Sequence, residues 1–373
     1  MLVMLEHEAE DPTPIGMAVA KWRARRGMTE AELARSSGLS QRLIADVEAG
    51  RDWVDRVHVL SGLAAGLRLD PADLAGQPYA PRGAEHAAVH AMAWHLRHHL
   101  AQVVVGRPAG VVDVDELVEG LEAVKEAEEE GRLSTVALVL PPLLELSDRL
   151  TLDTSRRSEA ALLRAAAYTA AARLLRRLGY RDLAWSVLDQ VRSTAGARMI
   201  VLAEEVRMLL AMGLAQCAVV RVERERADEL SFEVLLVVSV AQASLGNGGK
   251  SRELLDAAQV LATGAAEQSA VASARAFAAV EFGALEAALD HAEQVVALAA
   301  GPRARLLVLK ASVCVRLGAF AQAMGSLVEA EAIAPIPMSL DPLAREVIAA
   351  LSARVSGRDA TVLAGIAMRC GIR

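Results

Sequence analysis

Five histidines in one predicted helix, residues 84–105, have the type and spacing that could bind a metal ion. They are His86, His90, His95, His98 and His99. The first pair, and likewise His95 with His99, lies one helical turn apart, as zinc-binding helices require. At about 100° per residue the two pairs fall on roughly opposite sides of the helix, and no cysteine is nearby. We therefore expect ordinary packing around Trp94 rather than a metal site or a pH-sensing cluster.

Catalysis would need a constellation that the sequence does not present. There is no Gly-rich phosphate loop, no nucleophile elbow and no paired acid and base on a predicted pocket. Cys217, Cys314 and Cys370 lie far apart in helical segments, without metal-ligand or redox spacing. This spacing predicts small buried thiols in a reducing compartment. We expect no catalytic residue, no metal and no cofactor.

The N-terminal region, from residue 15 to residue 75, has the pattern of five short helices joined by connections of a few residues. Thr29 can cap one helix, Gly38 can supply the tight turn after it, and Ser40 can cap the next helix. Gly50 ends that helix. The order of cap, turn and cap predicts a helix-turn-helix unit.

This region resembles the Cro/repressor (XRE) family of helix-turn-helix proteins over roughly residues 15–76. The matching residues are Met28-Thr29-Glu30-Ala31-Glu32-Leu33-Ala34, Ser37-Gly38-Leu39-Ser40, Ile44 and Val47-Glu48-Ala49-Gly50-Arg51. The resemblance continues into the last two helices of the family, with Val57, Leu60, Leu63, Ala64, Leu67 and Asp70-Pro71-Ala72-Asp73-Leu74.

The resemblance implies that the helix from Ser40 to Ala49 enters the major groove of double-stranded DNA. The residues implied at the DNA interface are Ser40, Gln41, Arg42, Ala45, Asp46, Arg51, Arg56, Arg26, Thr29 and Glu30. Gln41 and Arg42 are the side-chain types that read base edges or phosphates. Arg23 and Arg25 join Arg26 as expected phosphate contacts at the end of the first helix. A dimer on an inverted repeat is expected.

Five glycines in the C-terminal half follow one another at steps of 34, 33, 37 and 35 residues. They are Gly179, Gly213, Gly246, Gly283 and Gly318. A period near 34 is typical of tetratricopeptide repeats, in which stacked helix pairs form a solenoid. An ordinary helical bundle with glycines at its helix ends is the alternative. Because the insertion Asn247-Gly248-Gly249 follows the third glycine, the second helix of that unit is expected to start late.

Two further positions recur with the glycines and favour the repeat interpretation. Five residues after the glycine the chain has Ala184, Ala218, Ser251, Ala288 and Ala323, and seven residues before it Ala172, Val206, Ser239, Ala276 and Ala311. Small or slim side chains allow helices to approach closely at such crossings. They are expected to be buried.

The first helix of each unit is expected to line the concave surface of the solenoid. The candidate ligand residues there are Thr169, Arg173, Arg176, Arg207, Glu233, Phe277 and Arg305. Such a surface suits a peptide or a small amphiphile with a negative group. Apolar positions that pack a solenoid without a cavity explain the pattern equally well. Regulators with this architecture usually clamp a peptide backbone with Asn, whereas the only Asn here is Asn247.

The composition predicts an all-α protein. Of 373 residues, 53% are hydrophobic, 23% charged and only 3% aromatic, which suits helices built from Ala, Leu and Val. We expect a five-helix helix-turn-helix domain followed by a tetratricopeptide-like α-solenoid. The predicted segments are a flexible tail (1–14), the helix-turn-helix domain (15–76), a linker (77–84), an irregular helical segment for dimerisation or capping (85–160), and the repeats with a C-terminal cap (161–373).

These patterns together predict a transcriptional regulator that binds DNA as a homodimer and senses a peptide, small molecule or protein through its repeats. The alternative is an adaptor that does not bind DNA and holds a partner protein in the solenoid. No apolar stretch is long enough to span a bilayer, and the acidic N-terminus is unlike a secretory signal, so a cytoplasmic location is expected.

Overall fold

The computed structural model describes residues 13–105, 114–150, 157–225 and 230–372, and within these ranges every regular element is a helix. The N-terminal helices are α1 (Pro14–Arg25), α2 (Glu30–Ser37), α3 (Gln41–Glu48), α4 (Val57–Leu67) and α5 (Pro71–Ala75). The next three are α6 (Gly83–Val105), α7 (Val114–Glu129) and α8 (Leu133–Leu150). This part of the chain thus carries a five-helix helix-turn-helix unit.

The repeat region follows as five helix pairs. They are α9 (Arg157–Leu178) with α10 (Arg181–Asp189), α11 (Arg198–Ala211) with α12 (Ala215–Glu223), α13 (Phe232–Ser244) with α14 (Gly248–Leu261), α15 (Ala265–Glu281) with α16 (Leu285–Glu293), and α17 (Ala300–Arg316) with α18 (Phe320–Ile333). The chain ends with α19 (Pro335–Ser339), α20 (Pro342–Ser352) and α21 (Gly357–Cys370). The expected all-α architecture, a helix-turn-helix unit followed by a tetratricopeptide-like solenoid, is confirmed.

The helix-turn-helix unit is set by local hydrogen bonds that its sequence encodes. The Thr29 hydroxyl accepts from the Glu32 backbone N–H at 3.2 Å, and the Glu32 carboxylate accepts from the Thr29 N–H at 2.8 Å. Gly38 then takes a left-handed conformation with φ of 71°, which suits a residue without a Cβ. The Ser40 hydroxyl accepts from the Leu43 N–H at 3.2 Å and starts α3. Ile44 of α3 is fully buried in the core of the unit.

Gly16 allows α1 to cross α3 at close range. A Cβ built on Gly16 would lie 2.3 Å from the carbonyl oxygen of Val47, so the backbones themselves would have to separate. We expect Gly16→Ala to lower the free energy of unfolding by about 1–3 kcal/mol in urea titrations. Gly325→Ala is the matched control, because nothing lies within 4 Å of its new Cβ in α18. That change should raise the free energy by about 0.5–1 kcal/mol, and a loss of the same size in both variants would contradict the crossing.

The recurring small residues lie where the helices of the solenoid cross. Ala184, Ala218 and Ala323 have no exposed surface, and Ser251 and Ala288 are 2% exposed. The second set is completely buried: Ala172, Val206, Ser239, Ala276 and Ala311. Their expected role in close helix packing is therefore confirmed.

The expected late start of the second helix in the third unit is wrong. Every second helix begins two residues after its glycine, and α14 does so at Gly248. The inserted glycines form its first turn, where the backbone N–H groups need no partner within the helix. The Ser251 N–H bonds to the Asn247 carbonyl at 3.0 Å. The extra residues instead lengthen the helix, which runs for 14 residues.

Two of the five histidines of α6, His95 and His98, pack against Trp94, which is itself 56% exposed. His98 stacks on it with ring centroids 3.9 Å apart, at the surface. His90 instead lies 3.3 Å from the Tyr180 hydroxyl, and the buried His99 lies 2.9 Å from the Tyr168 hydroxyl. The described residues contain no group of three or more His, Cys, Asp or Glu that could hold a metal ion.

Cys217 is exposed, which contradicts the prediction of three buried thiols, while Cys314 and Cys370 are buried as expected. Cys217 lies in the short helix α12, one residue before the buried crossing residue Ala218. A helix that buries one face turns the neighbouring residue outward. No helix in the described ranges combines the length and apolar character that a bilayer crossing requires.

The N-terminal helices dock against the solenoid along a docking edge, formed by Arg181, Glu281, Arg316 and Glu346. Glu281 accepts a hydrogen bond from the Val57 N–H at 2.5 Å and lies 2.8 Å from the His58 ring nitrogen Nδ1. Arg181 forms an ion pair with Asp70. At Gly179 and Gly213 the solenoid backbone comes so close that an added Cβ would meet Gln77 and Ser61.

Segment ends that the sequence assigns to the tail and the linker take part in this docking. Thr13 is 1% exposed and its hydroxyl donates to the Glu346 carboxylate at 2.7 Å, while Pro14 already belongs to α1. The Gln77 side-chain amide donates to the carbonyls of Leu340 at 3.1 Å and Arg177 at 3.4 Å. The rest of the predicted tail, residues 1–12, lies outside the described residues.

Candidate nucleic-acid interface and arginine cluster

The exposed edge of α3 presents the predicted base-reading side chains. Ser40, Gln41 and Arg42 are exposed at its start, whereas Ile44 and Val47 are fully buried on its inner face. Ile44 and Val47, three residues apart, share the inner face of α3, while the residues at its N-terminal end stay exposed. Ala45 and Asp46 are half-buried beside them.

Acidic side chains pair with the arginines of this exposed edge. The Asp46 carboxylate lies 2.8 Å from Nε of Arg51 and 3.6 Å from Nε of Arg42. Gln41 donates to the Glu30 carboxylate at 3.4 Å. The Arg42 side chain is 92% exposed, so its pair with Asp46 is weak and easily exchanged for a phosphate or a base edge.

The arginines at the end of α1 have different environments. Arg23 was expected to contact phosphate, yet its guanidinium donates twice to the Glu48 carboxylate at 2.6 Å and once to the Met28 carbonyl at 2.9 Å. This pairing raises the pKa of Arg23 and ties α1 to α3. Arg25 and Arg26 are exposed and stack over the Trp22 ring, at 5.2 Å and 5.9 Å from its centre. They remain available for phosphate contact.

The two remaining residues of the predicted DNA interface, Thr29 and Arg56, make contacts within the helix-turn-helix unit. Thr29 caps α2 through its hydroxyl, although its side chain is exposed. Arg56 precedes α4, is half-buried and lies 3.8 Å from the Asp55 carboxylate.

In the solenoid, three predicted ligand arginines surround one buried carboxylate. Glu204 of α11 is fully buried and lies 2.6 Å from Nε of Arg176. Arg207 and Arg173 lie 3.6 Å and 3.7 Å from its second oxygen. Burial opposes the charge of Glu204, but the three arginines hold its pKa below the usual value. Sequence reasoning missed Glu204, although its position three residues before Arg207 places both on one helix face.

The same arginines have further acidic partners. Arg173 pairs with Glu128 of α7 at 2.5 Å, and Arg207 pairs with Glu233 of α13. These contacts bring the predicted residues of the first three units together, but as an internal ion network. Glu128 was not foreseen, because it comes from a helix outside the repeats.

Arg305 of the fifth unit packs against the fourth unit. Its guanidinium carbon lies 4.9 Å from the centre of the Phe277 ring. A Cβ on Gly131, after α7, would lie 3.0 Å from Ala334, so the fifth unit lies close to the segment that precedes the repeats.

Thr169, the remaining predicted ligand residue, is 1% exposed, and its hydroxyl has no hydrogen-bond partner within the described ranges. It lies on α9 one turn before Arg173. Its burial places it beneath the arginines rather than on an open surface.

Comparison with known proteins adds little to this geometry. No model of a known protein family matches the chain, and no curated protein matches it. Among solved structures, the crystal structure of Bacillus thuringiensis PlcR in complex with the peptide PapR7 and DNA is similar at 12% sequence identity, with a TM-score of 0.32. The match covers 87% of this chain and 96% of that one. At this TM-score the likeness carries no functional argument, so function has to be argued from the residues themselves.

Proposed function

We propose that this protein is a sequence-specific DNA-binding transcriptional regulator whose solenoid responds to an effector. The observation that carries the proposal is the exposed Ser40, Gln41 and Arg42 edge of α3 on a helix-turn-helix unit. The solenoid contacts the connection between α3 and α4 and the ends of α1 and α5. The exposed edge of α3 takes no part in these contacts.

The mode of binding follows from helix-turn-helix geometry. The start of α3 would enter the major groove, with Gln41 and Arg42 on base edges and Arg25, Arg26 and Arg51 on phosphates. Two copies would bind an inverted repeat with recognition helices about 34 Å apart. We place the boundary between the helix-turn-helix domain and the linker near residue 76, and the end of the linker near residue 84. We further propose that residues 85–160 make the contacts between the two copies of the dimer.

Arg42→Ala should weaken operator binding by about 10- to 100-fold, because one base-reading contact contributes about 1–3 kcal/mol. Asp46→Asn should strengthen it, since Arg42 and Arg51 lose their competing carboxylate. DNA fragments selected by the full-length protein, followed by fluorescence anisotropy at two salt concentrations, would measure both effects. Arg303→Ala serves as the control, because Arg303 pairs with Glu329 on the solenoid surface.

The alternative function is an adaptor that does not bind DNA. DNA affinity should fall steeply with added salt as counterions are released, whereas an apolar contact between the solenoid and a protein should not. If no sequence is enriched at low salt, or if Arg42→Ala binds as tightly as the wild type, the adaptor replaces the regulator.

A further inference from the structure

We propose that the two ends of the repeat region meet at a seam that can open, and that Gln77 holds this seam closed. The seam is the contact between residues 334–340, which follow the last repeat, and the start of the repeat region with the helices just before it. This inference rests on the proposed function, since it names the conformational change that an effector of the solenoid would bias.

The seam has an apolar part. Leu340 is 3% exposed and belongs to a hydrophobic core whose other members come from the region between α6 and α11. Ile336 packs against the same core. Because both residues come after the fifth unit in the chain, the end of the solenoid is buried against its beginning.

The backbones also come close at this seam. A Cβ built on Gly131, in the turn after α7, would lie 3.0 Å from the Cβ of Ala334 and 3.4 Å from that of Ala300. These contacts involve small side chains only. A contact made by so few and such small groups separates at a lower free energy than a helix pair of the main core.

Gln77 bonds to both sides of the seam. Its side-chain amide donates to the Leu340 carbonyl at 3.1 Å and to the Arg177 carbonyl, at the end of α9, at 3.4 Å. The Gln77 side chain is also packed against the turn of the first unit, because a Cβ on Gly179 would lie 2.6 Å from the Cβ of Gln77. One amide group therefore joins the first unit to the segment that ends the solenoid.

The chain on either side of Gln77 is attached to opposite sides of the seam. Asp70, in the DNA-reading unit, forms an ion pair with Arg181 of the first unit. Tyr79 lies under the Arg345 guanidinium of α20, at 4.0 Å from the ring centre. If the seam opens, one of these attachments has to break or the segment between them has to move. An effector that favours the open seam would thus change how the DNA-reading unit is held.

Hydrogen–deuterium exchange of the full chain, read by mass spectrometry, tests the seam. Gln77→Leu should speed the exchange of backbone amides in residues 175–181 and 336–343 by about 5- to 10-fold, while α13 and α14 of the third unit keep their wild-type rates. Leu340→Ala removes the apolar part and should speed exchange in the same two segments. Gln268→Leu, at an exposed position of α15, is the matched control and should leave both segments unchanged.

Three results would overturn the proposal. Faster exchange on one side of the seam only would show that Gln77 stabilises its own surroundings. An equal increase in α13 and α14 would show a loss of stability throughout the protein. Unchanged exchange in both Gln77→Leu and Leu340→Ala would show that these residues do not hold a seam. The experiment contains no DNA, so its outcome and that of the operator selection are independent.

Discussion

Arg316→Ala is expected to lower the free energy of unfolding by about 3–5 kcal/mol, the cost of leaving a buried charge without its partner. The Arg316 guanidinium donates to both oxygens of Asp55, at 2.5 Å and 2.9 Å, and to the Trp53 carbonyl at 3.1 Å. It also stacks 4.3 Å from the centre of the Trp53 ring.

Loss of the ion pair with Arg316 is costly in free energy because Asp55 is buried. Its side chain is 1% exposed, so water cannot replace the guanidinium. The Ser312 hydroxyl, which also donates to Asp55 at 3.1 Å, would be the main remaining donor from the solenoid. Burial opposes the charge of Arg316, yet hydrogen bonds and attraction from Asp55 and Asp52 raise its pKa, so the guanidinium stays charged.

Urea unfolding followed by circular dichroism and tryptophan fluorescence measures the effect. Arg303→Ala is the matched control, because its ion pair with Glu329 is about half exposed on both sides and should contribute less than about 1 kcal/mol. The variant with both Arg316→Ala and Asp55→Ala should lose less than the sum of the single changes. Equal losses in Arg316→Ala and Arg303→Ala would show that the docking edge does not depend on this pair.

The wild type is expected to lose stability as the pH rises from 4.5 to 7. Glu346→Gln is expected to abolish this loss. Glu346 is completely buried between α20 and the N-terminal unit. Its carboxylate accepts from the Thr13 hydroxyl at 2.7 Å, the Ile15 N–H at 2.9 Å and the Val54 N–H at 3.3 Å. Burial outweighs these hydrogen bonds and, with repulsion from Asp55, raises the pKa of Glu346 from 4.5 to about 7.

The direction of the effect follows from proton binding. Between pH 4.5 and 7 the folded protein holds a proton on Glu346 that the unfolded chain has lost, so a rising pH favours unfolding. The contribution to stability is complete below pH 4.5 and gone above pH 7. A shift of this size corresponds to about 3 kcal/mol. The glutamine variant cannot titrate and should lack this part of the pH dependence.

Urea unfolding at several pH values between 4.5 and 8 would measure the difference between the two proteins. Thr13→Val is an informative companion, because the Thr13 hydrogen bond lowers the pKa of Glu346. Its removal should move the loss of stability to higher pH. Parallel pH profiles for the wild type and Glu346→Gln would contradict the assignment of this titration to Glu346.

Local chemistry explains why much of the fold was predictable from the sequence. The Thr29 and Ser40 caps, the turn at Gly38 and the 34-residue rhythm of glycines act over a few residues or repeat along the chain. Each helix pair must bury the same small positions to stack, so the sequence predicted Ala184 and its equivalents as crossing points. The outward position of the start of α3 was implied by the resemblance to the Cro/repressor family.

Local patterns failed where neighbours in the fold decide the outcome. The histidines of α6 were expected to pack around Trp94, but His90 and His99 instead contact Tyr180 and Tyr168, which are far away in sequence. Two glycines after Gly246 suggested a delayed helix, yet packing of the unit fixed the start of α14 at the common position. Propensity is weaker than tertiary packing in both cases.

The sequence alone therefore determined the helices, their caps, the repeat and the face of α3 that points outward, because these depend on spacings of a few residues. Only the tertiary structure decided the electrostatics. Arg316 meets Asp55 across 261 residues, and Glu346 meets Thr13 across 333. Which charges are paired, and which stay unpaired, depends on how the units stack, and no local spacing records that.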